Sequence, residues 1–144
     1  MKFNRKGFTL IELLVVIAIL VILMGIVLVA VNPGRQYQMA RDAKRRADTN
    51  ALLNAINQFQ IDHDGDVTAL GISTCPTYSD VGTGTGAVDL TTDLVASYIA
   101  EVPFDPHTAC NAADTCYDVC VTSAGRVTVA APRAETVSNI SVTR

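Results

Sequence analysis

From Leu13 to Val31 the chain runs for nineteen residues without a charge and almost without a polar atom. As a helix such a run spans about 28 Å, close to a bilayer's hydrocarbon thickness of roughly 30 Å. It exceeds the apolar core of a secretory signal, about 7 to 15 residues, and no small-residue cleavage site follows it, so it reads as a retained membrane helix. Directly before the run stands Glu12. A carboxylate within a membrane span costs roughly 2.5 to 3.5 kcal/mol on insertion scales, so this one requires a partner.

Lys2, Arg5 and Lys6 precede the helix. The positive-inside tendency puts them in the cytoplasm and everything beyond the helix outside. A cut between Gly7 and Phe8 would remove all three charges and create a free amine at Phe8, one helical turn from Glu12. The unsatisfied N–H groups of a first helical turn already favour an acid. The stronger arrangement sets the Phe8 amine of one subunit against Glu12 of its neighbour.

The short basic leader, Gly7, Phe8 and the run Thr9-Leu10-Ile11-Glu12-Leu13 resemble the class III leader of type IV prepilins and type II secretion pseudopilins. The resemblance implies an α+β fold: a long N-terminal helix and a small head with a short helix and an antiparallel sheet. It also implies cleavage at Gly7/Phe8 by a prepilin peptidase, N-methylation of Phe8 by the same enzyme, and registration of subunits through Glu12 and Phe8. The partners it implies are copies of the chain in a helical filament, an inner-membrane assembly platform, and the membrane itself before assembly. The location implied is a single pass through the inner membrane with the head exported, then a surface pilus or a periplasmic pseudopilus. No cofactor is implied.

Four segments follow from this reading: a leader over 1–7, a membrane or filament-core helix over 8–31, an amphipathic continuation over 32–61, and a head over 62–144. Asn32-Pro33-Gly34 should break the helix, because Pro33 lacks an N–H and disfavours helical geometry at Asn32, and glycine follows. Beyond the break, Ala40, Ala43, Ala47, Ala51, Ala55 and Phe59 trace one face, widened by Leu52 and Ile56 toward the head. Arg41, Lys44, Arg45 and Arg46, interleaved with Asp42 and Asp48, read first as a solvated outer face, with contact to acidic heads of neighbouring subunits, or to lipid headgroups before assembly, as the sharper reading.

The head is acidic. Beyond residue 47, twelve acids face three arginines, Arg126, Arg133 and Arg144, a formal charge of about −9. Such a surface gives DNA binding no support. Asp62, Asp64 and Asp66 alternate in a way that invites calcium, yet the loop lacks the glycine and the bidentate glutamate of an EF-hand and reads as a polar turn. Gly82, Gly84 and Gly86 alternate with threonines, but Ala87 stands where a dinucleotide fingerprint needs glycine, so the segment reads as a flexible loop.

Thr91-Thr92-Asp93 caps a short helix carrying Leu94, Tyr98 and Ile99, stopped by Val102-Pro103-Phe104-Asp105-Pro106. This pair of elements resembles the segment after the long helix in type II major pseudopilins, where Pro103 and Asp105-Pro106 would set the turn into the sheet. The calcium loop of those proteins is not recognisable here. Tyr117–Val121 and Val127–Ala130 alternate around Ser123-Ala124-Gly125 as an antiparallel hairpin, and 137–142 adds a third strand.

Cys75, Cys110, Cys116 and Cys120 lie on the exported side, where disulfides persist, and four cysteines allow three complete pairings. Sequence does not choose among them, although a single strand through Cys116 and Cys120 would place both on one face and oppose a bond between them. We favour Cys110 with Cys116 and Cys75 with Cys120. His107 with the last three cysteines matches no paired zinc knuckle.

Nothing in the chain assembles a catalytic set: His63 and His107 are the only neutral-pH bases, and neither a nucleophile elbow nor HExxH is present. Three functions remain. They are a filament subunit of a type IV pilus or related fibre, a pseudopilin of a secretion or DNA-uptake machine, and a monomeric membrane-anchored binding module.

Overall fold

The structure, a computed structural model, describes residues 7–144. The expected leader residues Lys2, Arg5 and Lys6 lie outside the described part. The chain forms two compact units, one ending at Tyr37 and the other running from Gln38 to Arg144.

Helix α1 covers Leu10–Val31. Thr9 caps it from an extended conformation, its hydroxyl accepting the Glu12 N–H while the Glu12 carboxylate reaches back to the Thr9 N–H. This reciprocal box satisfies two donors that a helix start would otherwise leave bare. Leu, Ile and Val make up most of the rest, with Ala18, Met24, Gly25 and Ala30 among them, and none of its residues is buried within the chain. The helix is long and apolar enough to cross a membrane.

At Asn32 the backbone turns left-handed, φ 46° and ψ 77°. Asparagine tolerates that region, and its side chain accepts the Arg35 N–H at 3.3 Å, starting the next helix. Helix α2 then covers Pro33–Asp62. The break expected over Asn32, Pro33 and Gly34 is therefore confined to Asn32. Pro33 occupies the first helical position, where its missing N–H costs nothing, and Gly34 is already helical.

The buried face of α2 is not the alanine string. Ala40, Ala43, Ala47 and Ala51 are exposed, while Asp42, Arg45, Thr49, Leu52, Leu53, Ala55, Ile56 and Phe59 are buried. Steps of four residues advance 400° around a helix, so a string built on them drifts by about 40° per step. Its far end, Ala55 and Phe59, reaches the core, and its near end faces away.

In the second unit a four-stranded antiparallel sheet runs in the order β1 (Ser79–Asp80), β2 (Asp118–Val121), β3 (Val127–Ala131), β4 (Ile140–Thr143). The hairpin and third strand appear as the alternation predicts, with Val121 opposite Val127 and Ala131 opposite Ile140. Strand β1 has no signature in a two-residue stretch. Leu52, Ile56 and Phe59 of α2 share one core with Leu90, Leu94, Tyr117, Val119, Val127 and Val129.

Two local expectations fail. Helix α3 covers only Thr91–Leu94, with Leu90 at its N-cap and the Asp89 carboxylate just before it accepting the Thr91 N–H at 2.9 Å. Val95 is extended and Ala96 adopts φ 71°, so Tyr98 and Ile99 fold back onto the Leu94 carbonyl instead of continuing the helix. The glycine-threonine run is an ordered loop, not a flexible one. Thr83 and Gly84 donate to the carbonyls of Ala112 and Ala113, and a Cβ on Gly82 would sit 2.3 Å from the Ala113 oxygen. Those glycines permit backbone to lie against backbone.

Disulfides join Cys75 to Cys120, with Cα atoms 5.2 Å apart, and Cys110 to Cys116, at 5.7 Å. Cys116 precedes β2 with φ 59°, so it does not share a strand face with Cys120.

Candidate assembly site and a buried ionic cluster

Glu12 stands in the first turn of α1, where its Oε2 accepts the Thr9 N–H and the Thr9 hydroxyl, each at 2.8 Å. Its other carboxylate oxygen takes no hydrogen bond among the described residues. Phe8 is 88% exposed, and nothing lies within 4 Å of a Cβ built on Gly7. Gly7, Phe8 and Glu12 thus occupy one short accessible segment. What this arrangement offers chemically is a carboxylate held in place with one oxygen open for a cation.

The basic cluster of α2 does something different from what its sequence implies. Arg45 is fully buried, and so are Asp42 and Asp105. Its guanidinium grips Asp105 with both prongs, Nε to Oδ2 at 2.6 Å and Nη2 to Oδ1 at 2.9 Å. Nη1 reaches Asp42 at 2.8 Å and Glu135 at 2.9 Å. Asp42 also accepts the backbone N–H groups of Glu135 and Thr136, and Arg41 pairs with Glu135.

The hydrogen bonds that Arg45 donates to Asp105, outweighing burial, raise its guanidinium pKa still further. Burial would push Asp42 up, but the bonds from Thr136, the two backbone N–H groups and Arg45 together hold it well below the carboxylate range. Arg41 and Arg45 draw Glu135 down to about 2. The cluster ties α2 to the Pro103–Pro106 turn and to the β3–β4 connection. Lys44 stays exposed, bonded to Asp48 and the Phe104 carbonyl, and Arg46 is exposed.

The other candidates are engaged elsewhere. Asp62 accepts the Tyr98 hydroxyl at 3.0 Å, Asp66 accepts the Thr68 N–H and hydroxyl, and Asp64 sits at φ 55° in the turn. Among the described residues no three His, Cys, Asp or Glu side chains converge as a metal set. Cys110 and Cys116 spend their sulfurs on each other. Sequence reasoning missed Asp105, Glu135 and Thr136 as partners of α2, since separations of 60 to 94 residues leave no local signal.

An apolar N-terminal helix with an acid in its first turn, and a small head built on an antiparallel sheet, define a pilin-like α+β protein. Residues 2–28 match the family model described as the prokaryotic N-terminal methylation motif. No curated protein and no solved structure matches the chain.

Proposed function

We propose that the chain is a structural subunit of a type IV pilus or pilus-like filament, cut between Gly7 and Phe8, methylated at Phe8 and assembled through its N-terminal helix. The observation that carries this reading is the methylation motif over residues 2–28 joined to a helix with no buried residue. So large an apolar surface has to be covered, by lipid or by copies of itself. Lipid offers helices no hydrophobic gain on pairing, so close packing and polar contacts must bias assembly. Glu12 supplies the polar contact, its open oxygen meeting the Phe8 amine of a neighbour. The head serves as an exported, disulfide-stapled body with a scaffold role and no chemistry of its own.

The second reading, a pseudopilin of a secretion or DNA-uptake machine, draws on Val102-Pro103-Phe104-Asp105-Pro106. Loss of protein secretion on deletion, with no extracellular fibres, favours it over the pilus. Mass spectrometry of the native N-terminus tests both. A methylated Phe8 is expected, and an intact Met1 overturns them. Glu12→Ala should leave membrane insertion intact and lower filament yield by about tenfold or more, as loss of a buried charge pair would; a normal yield refutes the pairing.

A further inference from the structure

Arg133, on the β3–β4 connection, is exposed and joins no ion pair among the described residues. It borders a cavity of about 450 Å³ that Arg41, Arg45, His107, Thr108 and Glu135 also line. The one carboxylate there is spent, because Arg41 and Arg45 hold both Glu135 oxygens. His107 Nδ1 accepts the Ala109 N–H at 3.2 Å, which leaves Nε2 as the ring's donor. Among these lining residues the Arg133 fork, Nη1 of Arg41, His107 Nε2 and the Thr108 hydroxyl make no hydrogen bond among the described residues, leaving a set of unspent donors. A planar oxyanion, above all a carboxylate, matches such a fork.

We propose that this cavity receives an acidic side chain from the head of a second copy of the chain. The argument for that occupant is charge. Over residues 62–144 the head carries eleven acids against three arginines, so heads repel one another when crowded, and a contact between copies must offset that repulsion where it forms. Of the three arginines, Arg144 already bonds Asn54, and Arg133 alone stands beside further unspent donors. A pocket on one copy and an acid elsewhere on the next make a heterologous contact, the kind that propagates as an open array. This inference rests on the filament reading above.

The test places the photo-crosslinking residue p-benzoylphenylalanine at Thr108 in the full-length chain, in cells assembling it. Illumination should join two copies, with the captured peptide carrying Asp or Glu. Arg133→Glu should cut that crosslink and the filament yield by about tenfold, Arg133→Gln by less, and Arg133→Lys least, since lysine keeps the charge and loses the fork. Non-reducing gels check that both disulfides still form in each variant. An undiminished crosslink in Arg133→Glu, or capture of lipid or an unrelated protein instead, overturns the proposal while leaving the filament reading intact. A wild-type chain that assembles nothing overturns the filament reading and this inference together.

Discussion

A guanidinium taken out of water is tolerable only when its donors are filled and its charge is met, and Arg45 achieves both with Asp105, Asp42 and Glu135. Such a cluster is not a large source of net stability, because desolvation consumes most of the attraction. Breaking it is costly, since the survivors stay buried. Arg45→Ala should therefore destabilise the fold by about 3 to 5 kcal/mol, and Arg45→Lys by less because a point charge replaces part of the fork. The check is the urea midpoint of the detergent-solubilised full-length chain, followed by circular dichroism. A loss below about 1 kcal/mol for Arg45→Ala would place it with ordinary surface substitutions. The partners were hidden at the sequence level for a physical reason: Arg45 reads locally as one of four cations on a helix. Only the fold brings Asp105 and Glu135, 60 and 90 residues away, to its guanidinium. Glu12 is the opposite case, legible at once because its anomaly is local, a carboxylate standing directly against an unbroken apolar run.

Elements whose signals are local were readable, and those decided by contact were not. The hairpin of β2 and β3 follows from alternation around a turn. Helix α1 follows from its unbroken apolar run. The buried face of α2 was misread because buried Asp42, Arg45 and Thr49 carry a polar identity that only their partners make compatible with a core. Strand β1 belongs with the second group, and its pairing has a cost. Asp80 stands directly opposite Asp118 across the β1–β2 ladder, and like charges so placed repel. Burial first, then Asp80, pushes the Asp118 carboxyl up to about 6. A raised acid pKa means the fold holds a proton that the unfolded chain releases, so this contribution is present below about pH 4 and is lost as pH rises toward about 6. Asp42 and Glu135 have the opposite sign, since their depressed pKa values give stability above about pH 4 that fades as pH falls toward 2. Asp118→Asn should accordingly stabilise the chain at pH 7 by roughly 1 to 2 kcal/mol, discounted for partial exposure, and change little at pH 4. Urea midpoints at the two pH values measure it, and an equal gain at both would remove ionisation as the cause.

At the scale of the whole molecule, the two units hold together by different means. The first is built on a helix with no buried residue of its own, so its stability belongs to its own backbone bonds and to whatever covers its apolar surface. The second must stand in water on strands of two to five residues and one face of α2. A core of that size is marginal, which gives covalent closure its weight. The two disulfides are unequal in this respect. Cys75–Cys120 closes a separation of 45 residues, joining the segment after α2 to the middle of the sheet, whereas Cys110–Cys116 closes only 6. In the chain-entropy account these closures remove about 4 and about 2 kcal/mol of unfolded-state freedom. Replacing Cys75 and Cys120 together by Ala should therefore lower the guanidinium midpoint about twice as much as replacing Cys110 and Cys116 together. Both pairs are removed as pairs, so that no lone thiol complicates the comparison. Cys120 is fully buried and Cys110 and Cys116 nearly so, which adds a similar packing loss to each variant and leaves loop length as the main difference. Equal losses would show that the bridges act through the folded state's packing; a larger loss for the short bridge would mean that the 107–116 turn, pinned against Gly82 and Gly84, is the weaker-folding part that needs closure most.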